Sequence, residues 1–281
     1  MAALADFSAL INNLTGGAAV PPEHDWFWVD GRIQAAAALA PAAGRFYSLW
    51  QLNKSNGASG AFPTTGATTI PNNTTIGAMQ LTNPTGGRQK WLLGIENCLA
   101  VAANLIAYDR LATYGIGAPN AATVTPTGMA VTRYTGTESV GNQIWVEYTN
   151  VAQAVATHAF TVSYTNQAGT AGRTTKSTVT GALPGCGMVP VALQDGDTGV
   201  QSIQSITITV AGTATALMAV HIVRPLGMAI SVGVAGGSIR DMIGGLPSMP
   251  EVKTGACVAF ALFTNTTTVP TGFVGVHMLE S

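Results

Sequence analysis

Apolar and polar residues alternate most regularly in the second half of the chain. Gln201-Ser-Ile-Gln-Ser-Ile-Thr-Ile-Thr-Val210 keeps a period of two over Ile206, Ile208 and Val210, the pattern of a strand with one wet face. Runs rich in β-branched and aromatic residues recur over 129–134, 143–148, 158–164, 188–193, 201–210, 216–223, 256–263 and 272–279, separated by turn clusters at short spacing. Short strands joined by Gly-rich turns predict a mainly β chain, a β-sandwich or jelly-roll-like domain. Strand is expected to exceed helix, with helix confined mainly to the first 120 residues.

The first half reads differently. Leu4, Phe7, Leu10, Ile11 and Leu14 follow helical spacing within residues 2–15, and Gly16 and Gly17 end the pattern. A helix this short is marginal alone in water, so its stripe needs a surface: its own core, a sister subunit or another protein. Pro21-Pro-Glu-His-Asp-Trp-Phe-Trp28 then crowds Trp26, Phe27 and Trp28 behind a stiff Pro pair, as a core anchor or an interface anchor. Residues 1–30 are accordingly read as an N-terminal arm and 31–281 as the β-sandwich domain. Within the domain, 53–77 is rich in Asn, Thr, Gly and Ser and reads as a long exposed excursion. The apolar run from Trp91 to Leu111 is ambiguous between strand and helix. The Gly- and Pro-rich stretch 227–250 reads as a loop returning the chain to its last two strands. No strict internal repeat is visible.

Charge changes the picture more than size does. Hydrophobic residues make up 47% of the chain and charged residues only 9%, against roughly 25% in an ordinary soluble domain. A surface clad in neutral polar groups suits a chain covered by copies of itself or by partners. The net charge is −1 with no basic stripe, which removes the main term in nucleic-acid affinity. Residues 91–107, the most apolar stretch, contain Glu96, Asn97 and Asn104 and fall short of a membrane span. Asp6, and the lack of Lys or Arg before the first apolar residues, argue against a secretory signal. Cys98, Cys186 and Cys257 are far apart, a pattern of buried free thiols in a protein assembled in a reducing cytoplasm, with an intermolecular disulfide as the alternative for an odd count.

Candidate chemistry is sparse. His158, His221 and His277 fall inside expected strands among apolar neighbours and read as structural, and no GxSxG, HExxH, GxxxxGK or GxGxxG signature stands in its required context. The close carboxylate pairs are Glu23/Asp25 and Asp195/Asp197. Paired carboxylates can hydrolyse glycosides across roughly 5–9.5 Å, and Gln194-Asp-Gly-Asp-Thr-Gly199 could also hold Ca²⁺; a turn capped by its own Asp explains it as well. The expectation is therefore a protein that is not an enzyme, with no cofactor, no metal and no catalytic residue.

Three stretches, Leu105-Ile-Ala-Tyr-Asp-Arg-Leu111, Ser163-Tyr-Thr-Asn-Gln-Ala-Gly-Thr-Ala-Gly-Arg-Thr-Thr175 and Pro190-Val-Ala-Leu-Gln-Asp-Gly-Asp-Thr-Gly-Val200, resemble in order and spacing a group of tailed-bacteriophage head-associated structural proteins. The resemblance covers about residues 100–225, with the middle stretch the most specific. It implies a virion protein on the phage head surface, a capsid decoration (cement) protein assembled in the host cytoplasm. The expected partners are the major capsid protein and its own copies, as a homotrimer, with no nucleic acid and no membrane. The expected interface is Leu4, Phe7, Leu10, Ile11, Leu14, Trp26, Phe27 and Trp28. The rival expectation is a tail, neck or fibre component whose sandwich binds a host glycan. The exposed Gly-rich loop after Tyr164 suits display on a particle.

Overall fold

The computed structural model describes residues 23–30, 41–52, 59–100, 102–149, 151–230, 238–241, 249–268 and 270–280; for 23–30 and 238–241 it describes the backbone path. The described chain is mainly β. Its strands are β1 (Glu23–Asp30), β2 (Arg45–Ser48), β3 (Thr68–Thr69), β4 (Lys90–Leu99), β5 (Ala103–Gly117), β6 (Thr123–Val124), β7 (Gln143–Tyr148), β8 (Ala159–Asn166) and β9 (Arg173–Thr174). They continue with β10 (Thr178–Val179), β11 (Gly187–Val191), β12 (Val200–Val210), β13 (Met218–Ile230), β14 (Ser238–Asp241), β15 (Glu251–Val252), β16 (Val258–Thr264) and β17 (Thr271–Glu280). Helix among the described residues is limited to one-turn 3-10 segments at Trp50–Leu52 and Gly136–Ser139. The expected helix at 2–15 lies outside the described residues. No helix among them is long and apolar enough to cross a membrane.

Every pairing between these strands is antiparallel. In the largest sheet the order β13-β7-β11-β2-β16-β5 closes on itself through β13–β5 pairing, with β3 attached to β5. The result is a six-stranded barrel-like ring. Alternation along each strand divides its side chains between the lumen and the outside. Phe46, Ile106, Tyr108, Trp145, Met188, Val223, Ala259 and Ala261 form one cluster. Phe46 meets Trp145 edge-on at 5.3 Å and Tyr108 stacks on Trp145 at 6.0 Å, contacts between strands that are not neighbours in the ring, so this cluster fills the lumen.

The outside of the ring is covered on two sides. Tyr47, Leu105, Phe260 and Leu262 pack against Leu92, Ile95, Val274 and Val276 of the sheet ordered β1-β17-β4-β14. On another side, Ile144, Val146, Val220 and Ile222 pack against Phe160, Val162, Ile206 and Ile208 of the sheet ordered β10-β8-β12-β6. Two apolar seams thus clamp one barrel, and the apolar half of each period-two pattern lies in one of them.

Several expectations change. The ambiguous run 91–111 resolves into β4 and most of β5; β5 is buried along nearly its whole length, and a near-continuous apolar sequence is then required, whereas the end of β4 alternates buried with partly exposed residues. Residues 129–134 form no strand: Ala130 makes an isolated bridge to Ser202, and Tyr134 takes a left-handed φ of 51°. Their side chains are recruited singly instead, Met129 and Val131 into the second seam and Arg133 onto Asp109. The stretch 227–250 is not all loop, since β13 runs to Ile230 and β14 pairs with β4. Nor is 53–77 simply an exposed excursion: its described part carries β3 and buries Gly60 and Pro71.

Candidate functional site

The charge-poor sequence places much of its charge inside. Arg110–Glu147, Arg133–Asp109 and Lys90–Glu280 are ion pairs at 2.7, 2.8 and 3.5 Å, and none of the six side chains is more than 10% exposed. The richest cluster is in the barrel lumen. Arg110 and Thr113 both belong to β5, three residues apart, which simple alternation would send to opposite faces. A bulge at Leu111, where Arg110 pairs with Val223 but Ala112 with Ile222, resets the phase and brings both onto the lumen side.

Arg110 Nη2 donates to Glu147 Oε2 at 2.7 Å and to the Tyr108 hydroxyl at 3.2 Å. The guanidinium lies 4.1 Å over the Trp50 ring. Trp50 is held in turn by Gly60 and Gly77, where any Cβ would come within 2.7 Å of the indole. Gln51 Nε2 donates to Glu147 Oε1 at 3.3 Å. His221 Nδ1 is 2.9 Å from the Thr113 hydroxyl, while its Nε2 is 3.1 Å from Glu147 Oε2, too oblique for a full hydrogen bond.

Burial alone would raise the Glu147 carboxyl. The Arg110 guanidinium, with His221 and Ser48, outweighs it and holds Glu147 down to about 2. Burial, reinforced by the Arg110 charge, lowers His221 to about 4 despite Glu147 beside it, so the imidazole is neutral at pH 7. The centre is thus a compensated ion pair with a neutral histidine. Arg110 Nε has no partner, an omission that costs a buried donor about 1–3 kcal/mol.

Above this centre the barrel mouth holds a pocket of about 320 Å³. Trp50, Arg110 and Thr113 form its floor, and Phe62, Pro63, Pro71 and Ile76 are among its walls. Sequence reading passed over Arg110 and Glu147. The available signal was a lone Arg and a lone Glu inside strongly apolar strands, since buried charges of this kind are paired.

The Asp195/Asp197 motif folds as a turn. Asp197 Oδ2 accepts from the Tyr164 hydroxyl at 2.5 Å and from Arg173 Nε at 2.9 Å, and its Oδ1 accepts from Asn166 Nδ2 at 2.7 Å. Desolvation opposes ionisation here, but these donors prevail and hold the carboxyl down to about 2. Asp195 faces solvent and pairs with Lys176 at 2.6 Å. With both Asp197 oxygens engaged by protein donors, the motif is not arranged as a cation cage, and among the described residues no three His, Cys, Asp or Glu gather at one point. Of the other histidines, His158 Nδ1 donates to the Val210 carbonyl at 2.7 Å, burial lowering its pKa, and His277 is paired with Glu96. The three cysteines are free thiols, with Cys186 and Cys257 buried.

The expected interface residues divide. Leu4, Phe7, Leu10, Ile11 and Leu14 lie outside the described residues. Trp26, Phe27 and Trp28 fall on β1, opposite Gly275, Val274 and Phe273 of β17. Among the described residues β1 pairs with β17 alone, so it is the edge of its sheet, and Phe273 is 36% exposed. No protein-family model, no curated protein and no solved structure matches this chain.

Proposed function

We propose that this chain is a structural virion protein, a decoration (cement) protein that binds the outside of a tailed-phage head and stabilises it. The observation that carries this reading is the edge strand β1, with Trp26, Phe27 and Trp28 along it. An edge strand offers a row of backbone donors and acceptors to another chain, and strand addition by a neighbour satisfies them. In this reading β1 and the stripe Leu4, Phe7, Leu10, Ile11 and Leu14, on a short helix in residues 2–15, join copies into a homotrimer and grip the major capsid protein. The stacked sheets act as a sandwich of jelly-roll type that displays the exposed loop 168–172. Many modest contacts add by multivalency and oppose pressure from within the head. The role is mechanical rather than enzymatic and needs no cofactor, nucleic acid or membrane.

The test is copy number in purified particles, together with deletion of residues 1–20. Hundreds of copies, and a truncated protein that folds but no longer binds the head, are expected. A truncated protein that still trimerises and binds removes the arm from the mechanism. A few dozen copies or fewer per particle would overturn the decoration reading in favour of a tail, neck or fibre component. One observation favours that rival: a groove of about 530 Å³ lined by 141–143 and 190–198, which contains Gln143, Gln194 and Asp195, a set suited to sugar hydroxyls.

A further inference from the structure

The pocket at the barrel mouth combines three properties. Its walls are largely apolar, with Phe62, Pro63, Pro71 and the half-exposed Ile76 around the opening. Its floor carries a guanidinium bonded through one nitrogen only: Nη2 serves both Tyr108 and Glu147, whereas Nε and Nη1 find no acceptor among the described residues. Finally, the floor is electrically balanced, because Glu147 compensates Arg110 and His221 is neutral at pH 7.

These properties select a ligand class. Free N–H groups call for an acceptor. The compensating carboxylate 2.7 Å from Arg110 repels a second anion, and no other Lys or Arg lines the pocket to offset it. A cation would bring a donor to a floor whose free groups are themselves donors. The pocket volume of about 320 Å³ sits at the small end of ligand sites, and barrel mouths are a preferred location for them. We infer that this pocket binds a small uncharged molecule with an aromatic or aliphatic body and one carbonyl-type acceptor, the acceptor seated on the free side of the Arg110 guanidinium and the body against Trp50 and Ile76. Trp50 is packed tightly against the adjacent Gly60 and Gly77, so the aromatic floor is preformed.

Three probes of similar size separate the possibilities: acetophenone, benzoate and ethylbenzene. Each is titrated into the full-length protein while the Trp50 indole N–H and the Ile76 methyl resonances are followed by NMR. Acetophenone is expected to shift both, with an affinity at least tenfold above those of benzoate and ethylbenzene. Ala61→Trp, at an exposed position on the rim, should fill the mouth and abolish those shifts. Ile76→Ala, also exposed, should retain acetophenone with weaker affinity. Benzoate binding as tightly as acetophenone would overturn the uncharged-ligand assignment, and equal binding of ethylbenzene would overturn the role of Arg110. Failure of acetophenone to move Trp50 at millimolar concentration, or shifts that persist in Ala61→Trp, would overturn the site itself.

Discussion

Glu147 lies in the barrel lumen and Asp197 at a turn beside β8 and β9, yet both carboxyls are held down to about 2. In the lumen one strong partner, Arg110, is bonded to the fully buried acid, and a neutral histidine completes the contact. At the turn the acid collects three donors, from Tyr164, Asn166 and Arg173, the last partly in water. The same acidity therefore conceals different vulnerabilities. Removing one member of the lumen set strands a charge away from solvent; removing one at the turn leaves groups that water can reach.

The largest effect is expected from Glu147→Gln, which strands Arg110 and should cost about 3–5 kcal/mol in urea unfolding. The double variant Arg110→Met/Glu147→Leu removes both charges and should recover most of that loss. A double variant as unstable as the single one would mean that the pair itself, rather than its compensation, holds the barrel together.

Acid should expose the lumen next. His221 has a folded pKa of about 4 against 6.5 for the free side chain, so the unfolded chain takes up a proton first as pH falls. Its contribution is complete above pH 6.5 and is lost between 6.5 and 4. Glu147, also lowered, keeps its contribution above its ordinary value of 4.5 and loses it as pH falls toward about 2. Urea midpoints should therefore decline from pH 7 downward, and His221→Gln should flatten the part between 6.5 and 4. A wild-type midpoint that is level from pH 7 to 4 would contradict the buried neutral imidazole.

Smaller effects belong to the turn. Asp197→Asn keeps the shape but loses the charge that Arg173 and Tyr164 bind, and should cost about 1–2 kcal/mol by thermal or urea unfolding. Asp195→Asn, whose side chain is 88% exposed, should stay within about 0.5 kcal/mol. A reversal of that order would mean that the turn is held from its solvent side.

Much of the β framework was legible because period-two apolar patterning is a local signal. Runs at 143–148, 201–210 and 272–279 all became strands. Closure of the barrel was not legible, since it rests on β13 meeting β5 about a hundred residues away. The lumen centre was hidden for a related reason: one bulge at Leu111 decides whether Arg110 and Thr113 share a side, and no residue type in Leu111-Ala112 announces it. The Asp195/Asp197 turn was readable from Asp and Gly chemistry alone, but Tyr164 and Asn166, which order it, come from a strand thirty residues earlier. Composition correctly indicated scarce charge, and reading it only as a property of the surface missed the charges used inside.

The pairing of β1 with β17 also sets a timetable. Residues 23–30 form their ladder with residues 271–278, so about 240 residues must be synthesised between one strand and its partner. At about 5–20 residues per second this takes roughly ten to fifty seconds. For most of that interval β1 is outside the ribosome while its partner does not yet exist. Its sheet is thus a late event of biosynthesis, completed after the barrel strands, from β2 to β16, have been synthesised. Such long-range pairing slows folding, and it leaves the aromatic strand exposed to chaperones and to sister chains on the same polysome before its own sheet can claim it.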